Sequence, residues 1–257
     1  MLTHSTINMH ALLALAFLAA CATTDDAPDI DLDAELDEGQ ADGATQLVYL
    51  NFGGDQLHGG DCSDARSNCS SLVSGTQDFA PFTVSDEWDR GKVVAAITSC
   101  VAQFYSDMNV RFVTTRPGGG EYTMMMIGAI YPTQLGFEQN GQGPYGRAPV
   151  DCDNRNKSDI GFLLLENDIN PDFYYMCRSI AHELGHSFGL LHTTGSATID
   201  GSRVDMMCEH GDCVNAAATG TAKWDTVNRK MTKEVSGCGG STQNTYAKLM
   251  ETLGVRR

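Results

Sequence analysis

A single mixed α/β (α+β) domain is predicted for residues 46–257 of this 257-residue chain. Three observations predict it. A strand-like segment, an amphipathic helical segment and a second strand-like segment follow one another between residues 46 and 115. DIGFLLLE (159–166) is a continuous apolar run, the pattern of a strand buried on both faces. A helical segment then runs from Pro171 to about Phe188 and carries two histidines four residues apart.

The residues ahead of the domain divide in two. ALLALAFLAA (11–20) would span about 15 Å as a helix, roughly half the hydrocarbon thickness of a bilayer. It therefore reads as the apolar region of a signal peptide over residues 1–20, not a membrane span. It ends in LAAC (18–21), which resembles a bacterial lipoprotein signal; that resemblance implies cleavage before Cys21 and lipidation of Cys21. MLTHSTINMH departs from the pattern by lacking Lys and Arg, so the positive charge would come from the α-amino group, or the start is Met9. An ordinary secretory signal cut slightly later is the alternative. The expected location is the outer membrane or cell surface by a lipid anchor, or else secretion.

Residues 21–45 follow as a lipidated cysteine and a flexible linker. Asp25 to Asp42 hold nine acidic residues and no Lys or Arg, more than half of the formal charge of −16. Such a run repels itself and buries little, which suits a solvated tether; a propeptide covering the active site is the alternative. The acidic balance excludes a nucleic-acid partner, since nothing supplies a basic patch for phosphates. The sequence does not set the oligomeric state.

Within the domain, QLVYLNF (46–52) alternates and is rich in β-formers, a first strand. GGDQLHGG (53–60) is expected to be a loop. SDEWDRGKVVAAITSCVAQFYSDM (85–108) has Ser85 as a possible cap and apolar residues at 93, 94, 97, 101, 104 and 105, a helical stripe. NVRFVTT (109–115) is the strand after it, and such a strand–helix–strand unit favours a parallel right-handed crossover. YTMMMIGAI (122–130) is a third strand whose methionines suit packing better than ligation. The Gly- and Pro-rich stretch 132–146 is an irregular loop, and GRAPV (146–150) a short edge strand. DCDNRNKSD (151–159) has alternating aspartates, but Arg155 and Lys157 stand where a calcium loop needs oxygen ligands, so it is a surface loop. STQNTYAKLMETLG (241–254) closes the chain as an amphipathic helix.

Setting Cys21 aside leaves eight of the nine cysteines, an even number that suggests four disulfides in an exported chain. Short spacing pairs Cys62 with Cys69 and Cys208 with Cys213. Cys100, Cys152, Cys177 and Cys238 can pair in three ways.

The helix at 171–188 is well made. Asn170 can cap it, Pro171 suits the first position, and Asp172 favours the N-terminal dipole. At 100° per residue Ile180, Leu184 and Phe188 fall within about an 80° arc, with His182 and His186 on roughly the opposite side. Histidines at i and i+4 can converge on one zinc ion, with Glu183 beside them placed for a water. Gly189 can take a positive φ and end the helix, which lets the chain bring His192 round as a third ligand. Three histidines leave an open position, the mark of a catalytic zinc site.

AHELGHSFGLLH (181–192) carries H-E-x-x-H-x-x-G-x-x-H at His182, Glu183, His186, Gly189 and His192, and resembles the metzincin zinc proteases. The resemblance implies a metzincin-like twisted mixed five-stranded sheet, the active-site helix below a cleft, and a small C-terminal subdomain. It also implies a methionine turn beneath the metal, matched in VDMMCEH (204–210) by Met207, with Met206 close behind. Several metzincins carry a tyrosine two residues after that methionine; Glu209 stands there, with His210 next to it. Thr193, after the third histidine, does not sort the chain with astacins, reprolysins, serralysins or matrix metalloproteases. No cysteine-switch motif lies upstream.

The activity implied is endopeptidase hydrolysis of a protein or peptide substrate. One catalytic Zn2+ on His182, His186 and His192 acidifies a water, and Glu183 is the base that deprotonates it. An extended peptide would pair with the edge strand at 146–150, with loop 132–146 selecting side chains. A zinc hydrolase of non-protein or cell-wall peptide substrates, or a non-catalytic surface binding protein with the same shell, are the alternatives.

Overall fold

The computed structural model describes residues 45–129, 145–165, 173–194, 203–208, 223–228, 230–233 and 238–256, all within one compact unit, Ala41–Arg257. The leader, Cys21, the acidic tether, most of loop 132–146, residues 170–172 and residues 209–222 lie outside the described residues, and with them Glu209, His210 and Cys213.

In chain order the first elements are β1 (Gln46–Asn51), β2 (Asp55–Gly59), β3 (Ser63–Asp64), β4 (Cys69–Ser70), β5 (Thr76–Pro81) and helix α1 (Arg90–Phe104). Next come β6 (Val110–Val113), β7 (Thr123–Ala129), β8 (Tyr145–Arg147), β9 (Ile160–Leu165) and helix α2 (Phe173–Ser187). The C-terminal part adds β10 (Thr193–Thr194), β11 (Arg203–Asp205), β12 (Lys223–Asp225), β13 (Met231–Lys233), β14 (Thr242–Gln243) and helix α3 (Thr245–Leu253).

The central sheet runs β6-β1-β7-β9-β8, with β1 parallel to β6 and β7, β7 parallel to β9, and β8 antiparallel at the edge. The β1–α1–β6 crossover joins neighbouring parallel strands, as the expected strand–helix–strand unit requires. Period-two alternation sorts the side chains between two cores. Val48, Leu50, Met125, Ile127 and Leu163 face the helices. Tyr49, Met124, Met126, Phe162 and Leu164 face the other way. The three consecutive methionines are therefore packing residues on both faces, all fully buried.

What covers the second face is a correction to the expected loop at 53–60. Asp55–Gly59 is strand β2, paired antiparallel with β5, while β5 also joins the end of β7. Leu57 and Phe79 are the apolar side chains that these two strands bury. One inward residue per strand is too little alternation to announce a strand, and the flanking glycines favour a turn.

Helix α1 starts later than Ser85 suggests. Asp89 caps it by accepting from the Lys92 amide at 3.1 Å. Val93, Ile97, Val101 and Phe104 form its buried stripe. Tyr105 ends the helix, and its fully buried hydroxyl donates to the Ala181 carbonyl of α2 at 2.6 Å. Burial holds the Tyr105 phenol well above its usual range. Disulfide Cys100–Cys177 locks the same two helices together.

Cys62–Cys69 and Cys152–Cys238 are the other described bridges, and Cys208 is also disulfide-bonded. That use of cysteine belongs to oxidising compartments. Among the described residues no helix is long and apolar enough to cross a membrane.

The lower part carries a three-stranded sheet, β10-β13-β14, and a parallel pair, β11-β12. The closing helix is shorter than residues 241–254: Asn244 caps α3 by accepting from the Ala247 amide at 2.9 Å. Gly254, at φ +79°, ends it.

Candidate metal centre

Helix α2 is buried on every side from Met176 to Ser187. Its apolar face, Ile180, Leu184 and the following Phe188, is fully enclosed by the helical core, worth about 1.5–3 kcal/mol per side chain. The opposite face carries Arg178, His182 and His186, one every four residues. This face is largely buried: the turn at 205–208 packs behind it through Met206 O on His182 Nδ1, and His182, Glu183 and His186 keep 4%, 8% and 7% exposure.

The helix ends in a Schellman motif. The Leu190 amide donates to Gly185 O at 2.9 Å and the Gly189 amide to His186 O at 3.0 Å. Gly189 sits at φ +93°, and a Cβ there would fall 2.9 Å from the Cys152 carbonyl carbon and 3.0 Å from Asp151 O. Both conformation and space demand glycine. The reversal it makes carries the chain back alongside the helix, and His192 returns to the two helical histidines.

Nε2 of His192 lies 3.1 Å from Nε2 of His186 and 3.1 Å from Nε2 of His182. All three ligand atoms lie within 4.8 Å of one another, a set able to hold a metal ion. Two nitrogens sharing a tetrahedral zinc at 2.0–2.1 Å would be about 3.3 Å apart, so the donor set fits that ion. The outer ring atoms supply the second half of the fit. His182 Nδ1 faces Met206 O at 2.8 Å and His186 Nδ1 faces Leu190 O at 2.9 Å. A carbonyl can only accept, so each Nδ1 carries the proton and each Nε2 turns a lone pair to the common centre. Burial first, then the Arg178 and His186 charges, hold the His182 pKa well below its ordinary value and keep it neutral.

Met206 and Met207 are both fully buried beneath this group. Met207 is the closer to the helix backbone: a Cβ on Gly185 would come 2.6 Å from its sulfur. Asp205 shapes the turn, its Oδ1 accepting from the Met207 amide at 2.9 Å, Thr193 Oγ1 at 3.3 Å and Thr245 Oγ1 at 3.0 Å. Arg178 reaches over from α2, donating to Cys208 O at 2.7 Å and stacking on Trp224 with 4.3 Å from its guanidinium carbon to the ring centre.

Glu183 lies against the edge strand. A Cβ on Gly146 of β8 would overlap its Oε1 and come 2.5 Å from Cδ. The carboxylate therefore sits between the histidine cluster of its own helix and strand β8, which pairs with β9 at the end of the central sheet.

One residue around this site carries no obvious sequence signature, and two have weak ones. Gln243 contacts the chain at Leu191, 52 positions away. Asp205 stands two residues before Met207, the D-x-M spacing frequent in the methionine turn that the resemblance implies. Arg178 shares the i, i+4 spacing of His182 and His186, a stripe visible once the histidines are singled out.

No protein-family model matches the sequence, and no curated protein matches it. Among solved structures the chain is similar to high choriolytic enzyme 1 (HCE-1), a hatching enzyme zinc-protease from Oryzias latipes (Medaka fish), at 20% identity. The match covers 57% of this chain and 60% of that one, with a TM-score of 0.24. The chain thus spans about three fifths of that structure's length, and a likeness at this level assigns it neither activity nor substrate.

Proposed function

We propose that the chain is a zinc-dependent endopeptidase of metzincin type, with one zinc ion on His182, His186 and His192 and Glu183 as general base. The observation that carries this is the histidine geometry: His192 Nε2 is 3.1 Å from Nε2 of both His182 and His186, whose outer nitrogens are committed to carbonyls. The His182 and His186 Nε2 lone pairs are thereby turned towards His192 Nε2, an arrangement that a shared cation stabilises.

Zinc held there supplies Lewis acidity, lowering the pKa of water towards about 7 and polarising a carbonyl. Glu183 accepts the proton from the attacking water and passes it to the leaving amine. No Ser or Cys nucleophile is required, in keeping with cysteines committed to disulfides. An extended peptide would lie along β8, the strand at the β9 end of the sheet, where Glu183 borders Gly146. Met207 and Met206 form the floor under the ligands.

Metal analysis and digestion of casein and a peptide library, with and without chelator, test the proposal. Wild-type protein should hold one zinc and cleave; Glu183→Ala should keep the zinc and lose about 10²–10⁴-fold in kcat. Zinc-loaded wild type inert towards every peptide would mean a binding protein, and cleavage limited to cell-wall peptides would move the substrate class. The same proposal places the chain at a membrane through a lipid on Cys21. Cys21→Ser should then shift it to the soluble fraction, and unchanged fractionation would remove the anchor.

A further inference from the structure

His192 is the one ligand that no helix holds. It lies in an extended segment between the Schellman turn and β10, so its position depends on what grips Leu191 and Thr193. Thr193 is gripped on the near side: its amide donates to Met207 O at 2.9 Å and its hydroxyl to Asp205. Leu191 is gripped by one side chain from the far end of the domain. Its amide donates to Gln243 Oε1 at 2.9 Å, and Gln243 Nε2 donates to its carbonyl at 2.9 Å. Gln243 thus meets both backbone groups of Leu191 as a neighbouring strand would, and all the atoms are buried. Gln243 is held in turn by β14 pairing with β13, and Thr245, two residues on, is tied to Asp205.

We propose that Gln243 is a positioning residue of the metal centre, acting through Leu191 to place His192 and so to set zinc affinity. This rests on the zinc reading above. The primary amide offers a donor and an acceptor in this geometry, which an ionised carboxylate does not. A carboxylate of the same shape keeps the acceptor for the Leu191 amide but turns a second oxygen against the Leu191 carbonyl. Alanine removes both contacts and leaves two backbone groups unsatisfied in a buried site. In either case the segment carrying His192 loses its register on the side away from Asp205, while His182 and His186 stay fixed by their helix.

The test is zinc affinity by chelator competition on the full chain, for wild type, Gln243→Glu, Gln243→Ala, His192→Ala and the double variant His192→Ala with Gln243→Ala. Gln243→Glu and Gln243→Ala should each weaken zinc binding about 10–100-fold, the size expected of a group that orients a ligand. In the His192→Ala background, Gln243→Ala should change affinity by less than about threefold, because the ligand it positions is gone. The same fold-loss in both backgrounds would show a general structural role and overturn the proposal, as would wild-type affinity in both Gln243 variants. If Gln243→Ala fails to fold, the isosteric Gln243→Glu is carried through the same cycle. Wild type that binds no zinc would bring down the endopeptidase proposal itself, a result distinct from zinc-binding wild type with an indifferent Gln243.

Discussion

Gly146 and Glu183 compete for one volume. Gly146 is on the exposed edge strand and Glu183 is buried on α2, yet a Cβ on the first would lie 2.5 Å from Cδ and 2.7 Å from Cγ of the second. The three atoms nearest to it all belong to the Glu183 side chain, so the glutamate, not the backbone, has to give way. Gly146→Ala should therefore move the carboxylate by about 1 Å, a displacement that can cost roughly 10²-fold in kcat. Zinc content should be unchanged, because no histidine is touched. Equal turnover by Gly146→Ala and wild type on the same peptide would show that the carboxylate does not work from this position.

Gly189→Ala acts on the other side of the site. It forces a Cβ towards Cys152 C and Asp151 O at a residue held at φ +93°. The strain is of order 1–3 kcal/mol before any clash is counted. A fall in Tm of several degrees should come with weaker zinc binding, since His192 follows directly from this turn. Thermal unfolding of metal-free and zinc-loaded protein separates the two effects, and a zinc-induced rise in Tm as large as in wild type would show that His192 had not moved.

The Cys100–Cys177 bridge closes a separation of 77 residues and ties α1 to the helix that carries two of the three histidines. Replacing both cysteines by alanine should cost about 2–4 kcal/mol in denaturant unfolding, chiefly by freeing the unfolded chain. The Tyr105 hydroxyl still holds Ala181 in that variant, so zinc binding under native conditions should persist. Loss of zinc without loss of fold would mean that the bridge aligns α2, not just secures it.

Asp159 gives a pH signature remote from the histidines. Burial, then the charge of Asp151, push its pKa up to about 7, against opposing hydrogen bonds from Ser63 and Asn156. The folded value exceeds the unfolded one, so the native state holds this proton longer. Its contribution to stability is full below about pH 4 and is lost as pH rises through about 7, on the order of 4 kcal/mol in total. Asp159→Asn keeps the acceptor for Asn156 and should be the more stable protein at pH 8, with a flatter profile between pH 4 and 7. Urea titrations at four pH values measure this; parallel profiles for the two proteins would show that Asp159 ionises normally.

What is legible in the sequence is what lies close along the chain. His182, Glu183 and His186 share one helix, and a single glycine turn delivers His192, so spacing alone can bring them together. The sheet strands are legible where both faces are buried, as in Ile160–Leu165. Strand β2 is not, because it contributes little beyond Leu57 to the core and begins and ends among glycines. The start of α1 is not where Ser85 suggests because Asp89, a second residue able to cap, accepts from the Lys92 amide instead. Asn154, Ser158 and Asp159 are buried in what looks like a surface loop, because the Cys62–Cys69 segment folds over it through Ala65. Gln243 is invisible for the same reason: its partner is a backbone far away, and backbone partners leave no pattern in the letters.

That distance gives the chain an order of assembly. A ribosome releases His182, His186 and His192 well before Gln243, which follows Leu191 by 52 residues. Until the last of those residues has emerged, the histidine segment has no far-side grip, and the Asp205–Thr245 tie that steadies the turn is missing as well. On the proposed zinc reading the consequence is timing: all three histidines are made before the contact that positions His192 can form.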